Sequence, residues 1–270
     1  MSTDTAAPEE TFDLPDDIVD IGEYTENITM LVYGDPGIGK TRFAATGGRV
    51  LFLATENGTV AARKAIGAMG KVKVWDCVAS WDKFEEAYEW LLENASEPGF
   101  PFDWVCIDTG TQLQLNIRRA IVDADAEIDE SRNRDKVELQ EYGEEQQRLM
   151  RYVTLVNDLP VNILWTAHSM LVDDENGEQF RLPQFHGQGY KVANWIAAQM
   201  HCVGYMHKAP VKVKTANGTK VVNSRVIQWT SSDGSVIAKD RFDALGNRTV
   251  NKTLADLVKI IEAANAVDEK

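Results

Sequence analysis

Residues 34–41 combine glycines, a lysine and a threonine in the order G-x-x-x-x-G-K-[ST]. They follow the apolar run 28–33, which predicts a buried strand, and they precede residues that predict the start of a helix. Glycines let successive backbone N–H groups turn toward a phosphate, and the helix N-terminus adds its positive dipole end. The motif therefore predicts a phosphate cradle, although a glycine-rich turn without a ligand has the same composition. The predicted cradle comprises Gly34, Asp35, Pro36, Gly37, Ile38, Gly39, Lys40, Thr41 and Arg42.

Two side chains of this motif have defined tasks in a nucleotide site. We expect Lys40 to reach the terminal phosphates of ATP and the hydroxyl of Thr41 to hold Mg²⁺. The water shell of the ion needs a second carboxylate, at the end of a neighbouring strand. Asp108 follows the aromatic and apolar run 102–107 and is predicted to supply it. An Asp before Thr-Gly-Thr can also cap a helix, and both roles can hold together.

Hydrolysis also needs a group that activates or positions water near the γ-phosphate. Asp108 is followed by Thr109 rather than by a glutamate, so the base must come from elsewhere. Glu56 follows the apolar run 49–55, which predicts a strand next to the first one, and we predict that its carboxylate faces the phosphate. The alternative is an exposed loop glutamate.

Two further groups could complete such a site. His168 follows the predicted strand 161–166, and we predict a sensor that contacts the γ-phosphate on one side and the next segment on the other. A lone histidine is also often only a hydrogen-bonded structural residue. Lys239 and Arg241 come late in the chain, and we predict that they act in trans on the nucleotide of a neighbouring subunit. A solvated basic turn is the alternative.

Alternating strand and helix patterns predict the elements that position these groups. They indicate an α/β fold with a mainly parallel twisted sheet flanked by helices. The dipeptide Asn217-Gly218 predicts a hairpin, so antiparallel strands complete the sheet. Residues 169–189 show no sustained period and predict a long loop. Strands are predicted at 28–33, 49–55, 72–75, 104–107, 161–166, 200–206, 211–214, 220–229 and 235–241, and helices at 81–94, over most of 111–158, and at 254–264.

Several motifs taken together resemble a known family. GDPGIGKT, LFLATENG, DWVCID, ILWTAH and AKDRF resemble phage-encoded RecA-like NTPases of the single-strand annealing and recombinase type, within the broader group of AAA-like P-loop ATPases. The resemblance covers residues 28 to about 245. AKDRF is similar to the KNRFG-type motif of RadA and to the Lys-x-Arg pair of RecA and DnaB-type ATPases, but it departs at Asp240 for Asn and at Asp243 for Gly.

The resemblance implies a RecA-like core that assembles as a ring or filament, with nucleotide at the subunit interfaces. It implies single-stranded DNA as a partner and is compatible with a single-strand binding protein as a second partner. By position, the segment after His168 resembles the second DNA-binding loop of such proteins, with aromatic faces for bases and cations for phosphates. Acids in the same segment leave a solvated lid as the alternative. A charged stretch near 129–135 would be the first loop. The implied DNA-binding residues are Phe180, Arg181, Phe185, His186, Lys191, Arg132 and Arg134.

Composition bounds the class of protein. The chain has 270 residues, of which 44% are hydrophobic, and it can bury one substantial core. Its net charge is −14, but residues 1–27 hold nine acids and no Lys or Arg. Without them 33 acids face 28 bases, so the charge argues less against a nucleic-acid partner. We predict a disordered acidic arm at 1–27 and a RecA-like ATPase domain at 28–270.

Cysteine usage and hydropathy predict a location. The three cysteines, Cys77, Cys106 and Cys202, lie far apart in apolar stretches, which favours reduced core thiols. We find neither a membrane-spanning run nor a signal peptide pattern, so we expect no membrane partner. The prediction is a cytoplasmic protein, in the host cytoplasm if it is phage-encoded.

These observations predict an ATPase, stimulated by DNA, that binds single strands and promotes annealing or exchange in phage recombination. A P-loop ATPase that acts on a protein partner, such as a helicase loader or remodeller, is the main rival. A small-molecule kinase would need a lid with clustered arginines, and we see no such cluster after the cradle.

Overall fold

The computed structural model describes residues 18, 27–62, 71–173, 176–215, 218–231 and 234–266. Apart from Ile18 and Asn27, the predicted acidic arm lies outside the described residues, as does Asn217 of the predicted turn. Within these ranges, no helix is long and apolar enough to cross a bilayer.

Eleven strands and six α-helices are present in the described part of the chain. The strands are β1 (Thr29–Tyr33), β2 (Val50–Ala54), β3 (Val72–Asp76), β4 (Trp104–Asp108), β5 (Asn162–Ala167), β6 (Ser169–Asp173), β7 (Gln179–Pro183), β8 (Cys202–Thr215), β9 (Gly218–Gln228), β10 (Lys239–Asp240) and β11 (Arg248–Val250). The helices are α1 (Lys40–Ala44), α2 (Trp81–Asn94), α3 (Gly110–Ile128), α4 (Leu139–Asn157), α5 (Lys191–Gln199) and α6 (Leu254–Asn265), and Thr59–Ala62 forms a 3₁₀ turn.

The main sheet has nine strands in the order β11-β9-β8-β1-β5-β4-β2-β3, with β10 also paired to β8. The strands from β8 to β3 in this order are mutually parallel. By contrast, β9, β10 and β11 run antiparallel to their neighbours. The predicted α/β fold, a mainly parallel sheet completed by C-terminal antiparallel strands, is confirmed. Because the central strands are parallel, the ends of β1, β2, β4 and β5 lie along one edge, where α/β proteins bind ligands.

Both faces of this sheet are covered, so the central strands are mostly apolar. In β1, Leu31 and Tyr33 join the core formed with helices α2 to α5. Met30 and Val32 join the core formed with α1 and α6 on the other face. Every residue of β1, β2 and β4 is buried, which is typical of parallel strands between helical layers.

The segment 169–189 is not a long loop, and that prediction was wrong. It contains β6 and β7, which pair antiparallel as a separate two-stranded sheet. Leu182 and Phe185 anchor the hairpin in the core, and the hydroxyl of Tyr33 donates to the carbonyl oxygen of Arg181 at 3.1 Å. Only one end of the hairpin is buried, so its sequence lacks the alternation that would have predicted two strands.

Further differences from the predicted elements occur after residue 190. Helix α5 and strand β11 were not predicted, and the two strands predicted at 200–206 and 211–214 are one strand, β8. Pro210 lies between the two predicted segments. Since β1 pairs with β8 only as far as Tyr205, the later part of β8 has one unpaired side, where proline is tolerated.

Candidate nucleotide-binding site

The phosphate cradle joins the end of β1 to the start of α1. In it, Lys40 is buried, and its ammonium group donates to the carbonyl oxygens of Gly34 at 2.8 Å and Asp35 at 3.3 Å. Burial lowers the pKa of Lys40, while the nearby carboxylates of Asp108, Glu56 and Asp35 act in the opposite direction. Its ammonium group therefore already lies inside the loop, where a phosphate could take the place of the carbonyl oxygens.

Two glycines of the cradle are required by its geometry. Gly39 has a φ of +108°, a left-handed conformation that residues with a side chain rarely adopt. A Cβ atom at Gly34 would collide with the carbonyl oxygen of Met206 on β8. The loop thus packs directly against the strand next to β1.

Thr41 and Asp108 meet at the end of the sheet. The Thr41 hydroxyl donates to Oδ2 of Asp108 at 2.8 Å, and the Thr166 hydroxyl donates to Oδ1 at 2.6 Å. Burial raises the pKa of Asp108, and these two hydrogen bonds oppose the shift. A hydroxyl beside a carboxylate is an oxygen donor set that Mg²⁺ prefers, so these residues fit the ion. The helix cap is the neighbouring residue, Thr109, whose hydroxyl accepts from the N–H of Gln112.

Glu56 lies at the same edge, after β2, and contacts His168, which follows β5. Its Oε2 is 3.2 Å from Nε2 of His168, and the Thr109 hydroxyl donates to the same oxygen at 3.4 Å. Burial alone would raise the pKa of Glu56. The hydrogen bond and charge of His168, with the charge of Lys40, outweigh burial and hold that pKa below its usual range. The carboxylate is therefore ionised at neutral pH, as a general base must be.

A family comparison agrees with this geometry. A family model described as an AAA domain matches residues 26–242. The chain belongs to the AAA domain family. No curated protein matches the sequence. The matched range contains the cradle, Asp108, Glu56 and His168, so this AAA domain is a P-loop NTPase domain that binds nucleotide.

His168 also connects the site of the AAA domain to the β6–β7 hairpin. Its backbone N–H donates to the hydroxyl of Thr111, and its carbonyl oxygen accepts from the N–H of Gln184, which follows β7. Its Nδ1 is buried and has no hydrogen-bond partner among the described residues. A change at Glu56 can thus reach the hairpin through one residue, His168.

The same hairpin contacts the cradle directly. Arg181, predicted as a DNA-binding residue, lies on β7, and its guanidinium group is 3.3 Å from a carboxylate oxygen of Asp35. The Ser169 hydroxyl donates to the same carboxylate. In this structure Arg181 is paired within its own chain.

The other predicted DNA-binding residues are dispersed. Phe185 is 2% exposed and packs against Gly110 in the core, which contradicts a role in stacking on bases. Phe180 is half-buried and packs edge-on against Tyr190 at 5.1 Å. Of the predicted residues in this segment, His186 and Lys191 are exposed. Lys191 is the first residue of α5 rather than part of a loop.

The two arginines of the predicted first loop are paired with acids. Arg132 donates to a carboxylate oxygen of Glu141 at 2.5 Å, and Arg134 donates to Asp123 at 2.7 Å. These pairs neutralise the charge that a phosphate would need.

Lys239 and Arg241 lie far from the cradle of their own chain. Lys239 on β10 pairs with Val203 of β8, which in turn pairs with Leu31 in the middle of β1. Both side chains donate to the carbonyl oxygen of Ala198, in the last turn of α5, at 3.1 Å. Burial, and then repulsion by Arg241, lowers the pKa of Lys239 to about 8. Their action in trans stays a prediction.

Sequence reasoning missed Arg225 on β9. A Cβ atom at Gly39 would lie 2.8 Å from its Nη2, so the guanidinium group packs on the cradle. Its Nε is buried without a hydrogen-bond partner in the described part of the chain. Burial, and then the charge of Arg42, lowers the pKa of Arg225. Two cations thus lie beside the cradle, where a phosphate would offset the cost of bringing them together.

Proposed function

We propose that the protein is an ATPase that hydrolyses ATP to ADP and phosphate and that binds single-stranded DNA, promoting annealing or exchange of strands in phage recombination. The observation that carries the ATPase is the contact between Glu56 and His168 beside Lys40 and the Thr41–Asp108 pair. Single-stranded DNA, phage origin and a ring or filament are supported by the resemblance of the motifs to RecA-like recombinases.

Each residue of the site has a role in this proposal. Lys40 and the loop N–H groups bind the phosphates, and Arg225 adds a cation from β9. Thr41, and Asp108 through water, would hold Mg²⁺, which supplies neutralisation of phosphate charge when bound. The ionised Glu56 accepts a proton from the attacking water, and a lowered pKa keeps it ready at neutral pH.

His168 couples this step to the rest of the molecule. Its Nε2 contacts Glu56, and its backbone is bound to the segment after β7. When a γ-phosphate competes for Glu56 or for water near it, the His168 contact changes. The β6–β7 hairpin also contacts Asp35. A change at the phosphates can therefore reach the hairpin both through His168 and through Asp35.

One observation favours a second function. The net charge of −14 is unusual for a protein that binds nucleic acid, and an ATPase that remodels a basic protein partner would use such a surface.

The two functions are separated by measuring the ATPase rate and the assembly size, each with and without a single-stranded oligonucleotide at low salt. We expect the oligonucleotide to raise the rate and to enlarge the assembly, and we expect Lys40→Ala to abolish turnover in both conditions. If the oligonucleotide changed neither the ATPase rate nor the assembly size, the result would support an ATPase that remodels a protein partner instead.

A further inference from the structure

The β8–β9 hairpin differs in charge from the rest of the chain. Residues 179–232 contain no Asp or Glu, although the whole chain has a net charge of −14. Seven Lys and Arg residues lie in this range, and four of the lysines are on β8 and β9. The antiparallel hairpin is therefore a basic element of an acidic protein.

The pairing register places three of these lysines on one face. Lys208, Lys212 and Lys214 are an even number of residues apart on β8, so their side chains share a face, and all three are exposed. We call them the lysine stripe. On the opposite face, residues 207, 209 and 211 are half-buried and Val213 is 40% exposed. The stripe thus faces solvent, while the other face packs toward the protein only as far as residue 211.

The spacing along the stripe suits an extended chain of charges. At about 3.3 Å per residue, Lys212 and Lys214 are about 7 Å apart, and Lys208 and Lys212 about 13 Å apart. Val221 pairs with Lys212 across the hairpin and is 57% exposed on the same face. It offers apolar surface without an aromatic ring, so bases could lie there without sequence preference.

The stripe leads to the nucleotide site. Lys208 pairs with Arg225, whose guanidinium group packs on Gly39 of the cradle. Met206, two residues before Lys208, is in contact with Gly34. An anion on the hairpin would therefore lie next to the phosphate cradle.

The lysines of the stripe are available for an anion. In the described part of the chain none of them forms an ion pair, whereas Arg132, Arg134 and Arg181 of the predicted DNA loops are each paired with a carboxylate. We propose that the lysine stripe binds the phosphate backbone of a single-stranded nucleic acid and holds it beside the nucleotide site. The inference rests on the proposed function and gives it a binding surface.

The test compares three variants with the wild type. The triple variant Lys208→Ala/Lys212→Ala/Lys214→Ala removes the stripe. Lys71→Ala/Lys73→Ala/Lys252→Ala removes the same charge from exposed sites elsewhere, and His186→Ala/Lys191→Ala removes the exposed residues of the predicted loop. Binding of a labelled oligothymidylate is measured by anisotropy over a range of salt concentrations, with basal ATPase and thermal unfolding as controls.

We expect the affinity of the stripe variant for the oligonucleotide to be at least about tenfold lower than that of the wild type at low salt. The slope of log K against log salt should be smaller in magnitude by about 2, since each neutralised phosphate of a single strand contributes about 0.7. Its ATPase rate without oligonucleotide and its thermal midpoint should equal those of the wild type. The matched variant should keep the wild-type slope.

Three results would overturn the inference. The first is a stripe variant with wild-type affinity and slope, while the His186/Lys191 variant loses both. The second is unchanged oligonucleotide binding with a changed assembly size, which would mean that the stripe holds an acidic segment such as 1–27 of a second copy. In these two cases the proposed DNA binding survives. In the third, the wild type binds no oligonucleotide even at low salt, and the DNA part of the proposed function fails as well.

Discussion

At the scale of residues, the candidate site depends on pairs of side chains that come from different strands. Glu56 follows β2 and His168 follows β5, yet their side chains are 3.2 Å apart. Thr41 and Asp108 are separated by 67 residues and share a hydrogen bond. Parallel strands place all their carboxyl ends along one edge, so these groups meet without long loops.

Arg225 gives a test of the site at this scale. We expect Arg225→Ala to weaken ATP binding by about tenfold or more, because hydrogen bonds to charged groups contribute about 1.5–3 kcal/mol. Binding of a fluorescent ATP analogue measures the change. Arg248→Ala, at an exposed position on β11, is the control and should bind ATP normally. Unchanged affinity in Arg225→Ala would mean that the guanidinium group only packs on Gly39.

The site could be predicted from the sequence to the extent that its residues follow strands. Asp108, Glu56 and His168 each follow an apolar run, and Lys40 belongs to the glycine-rich motif after the first such run, so their place at the edge of the sheet follows from the local pattern. Arg225 gave no such signal. It reaches the cradle because β9 pairs with β8 and β8 with β1, and this long-range register is not visible in the sequence.

At the scale of elements, the difference between local sequence signals and long-range contacts explains which predictions were confirmed. Helix α2 was predicted at residues 81–94 and is found at Trp81–Asn94. Its Ser80 cap, which accepts from the N–H of Lys83, and its apolar spacing are local features. The β6–β7 hairpin was mistaken for a loop because its stability comes from distant contacts, with Tyr33 and with the core.

The corrected position of Phe185 has a measurable consequence. Because its side chain is 2% exposed, Phe185→Ala should lower the free energy of unfolding by about 3–5 kcal/mol. Phe180→Ala, at a half-buried position, should cost less. Urea denaturation followed by circular dichroism gives both values. If Phe185→Ala kept wild-type stability but lost DNA binding, the predicted role in base stacking would be restored.

The β10 strand gives a pH-dependent prediction. The pKa of Lys239 is about 8 in the folded protein, below its usual value of 10.5, so the unfolded chain binds the proton more tightly. Between these values the unfolded state carries more protons, and this group makes stability rise with pH. Denaturation midpoints from pH 7 upward should show this rise in the wild type and a smaller one in Lys239→Gln. Equal pH dependence in both proteins would contradict the lowered pKa.

At the scale of the whole molecule, the proposed action of Lys239 and Arg241 in trans requires more than one copy of the chain. Lys239 and Arg241 lie near the start of β8, while the cradle follows the end of β1, so they lie away from the site of their own chain. A neighbouring subunit in a ring or filament could present its nucleotide to them. Catalysis would then depend on assembly.

Mixed assemblies test this dependence. We expect Arg241→Ala subunits and Lys40→Ala subunits to be inactive alone and to regain ATPase activity when mixed, because an Arg241→Ala subunit keeps its cradle and can receive Arg241 from a Lys40→Ala neighbour; an arginine supplied in trans contributes about 10³ to 10⁵ in rate. The activity of mixtures is measured against composition after the subunits have exchanged. Mixtures with no more activity than the two variants alone would show that Arg241 does not act on another subunit.

In the proposed mechanism Glu56 activates water for ATP hydrolysis, and the variant Glu56→Gln tests this role. The amide cannot accept the proton, so turnover should fall by about 10² to 10⁴ while ATP affinity stays at the wild-type level. Glu97→Gln, at an exposed site away from the cradle, should leave both unchanged. Both quantities can be measured on the same preparation, turnover by phosphate release and affinity by calorimetry. Wild-type turnover in Glu56→Gln would contradict this role of Glu56. A variant that no longer binds ATP would contradict it as well, because the carboxylate would then serve binding rather than hydrolysis.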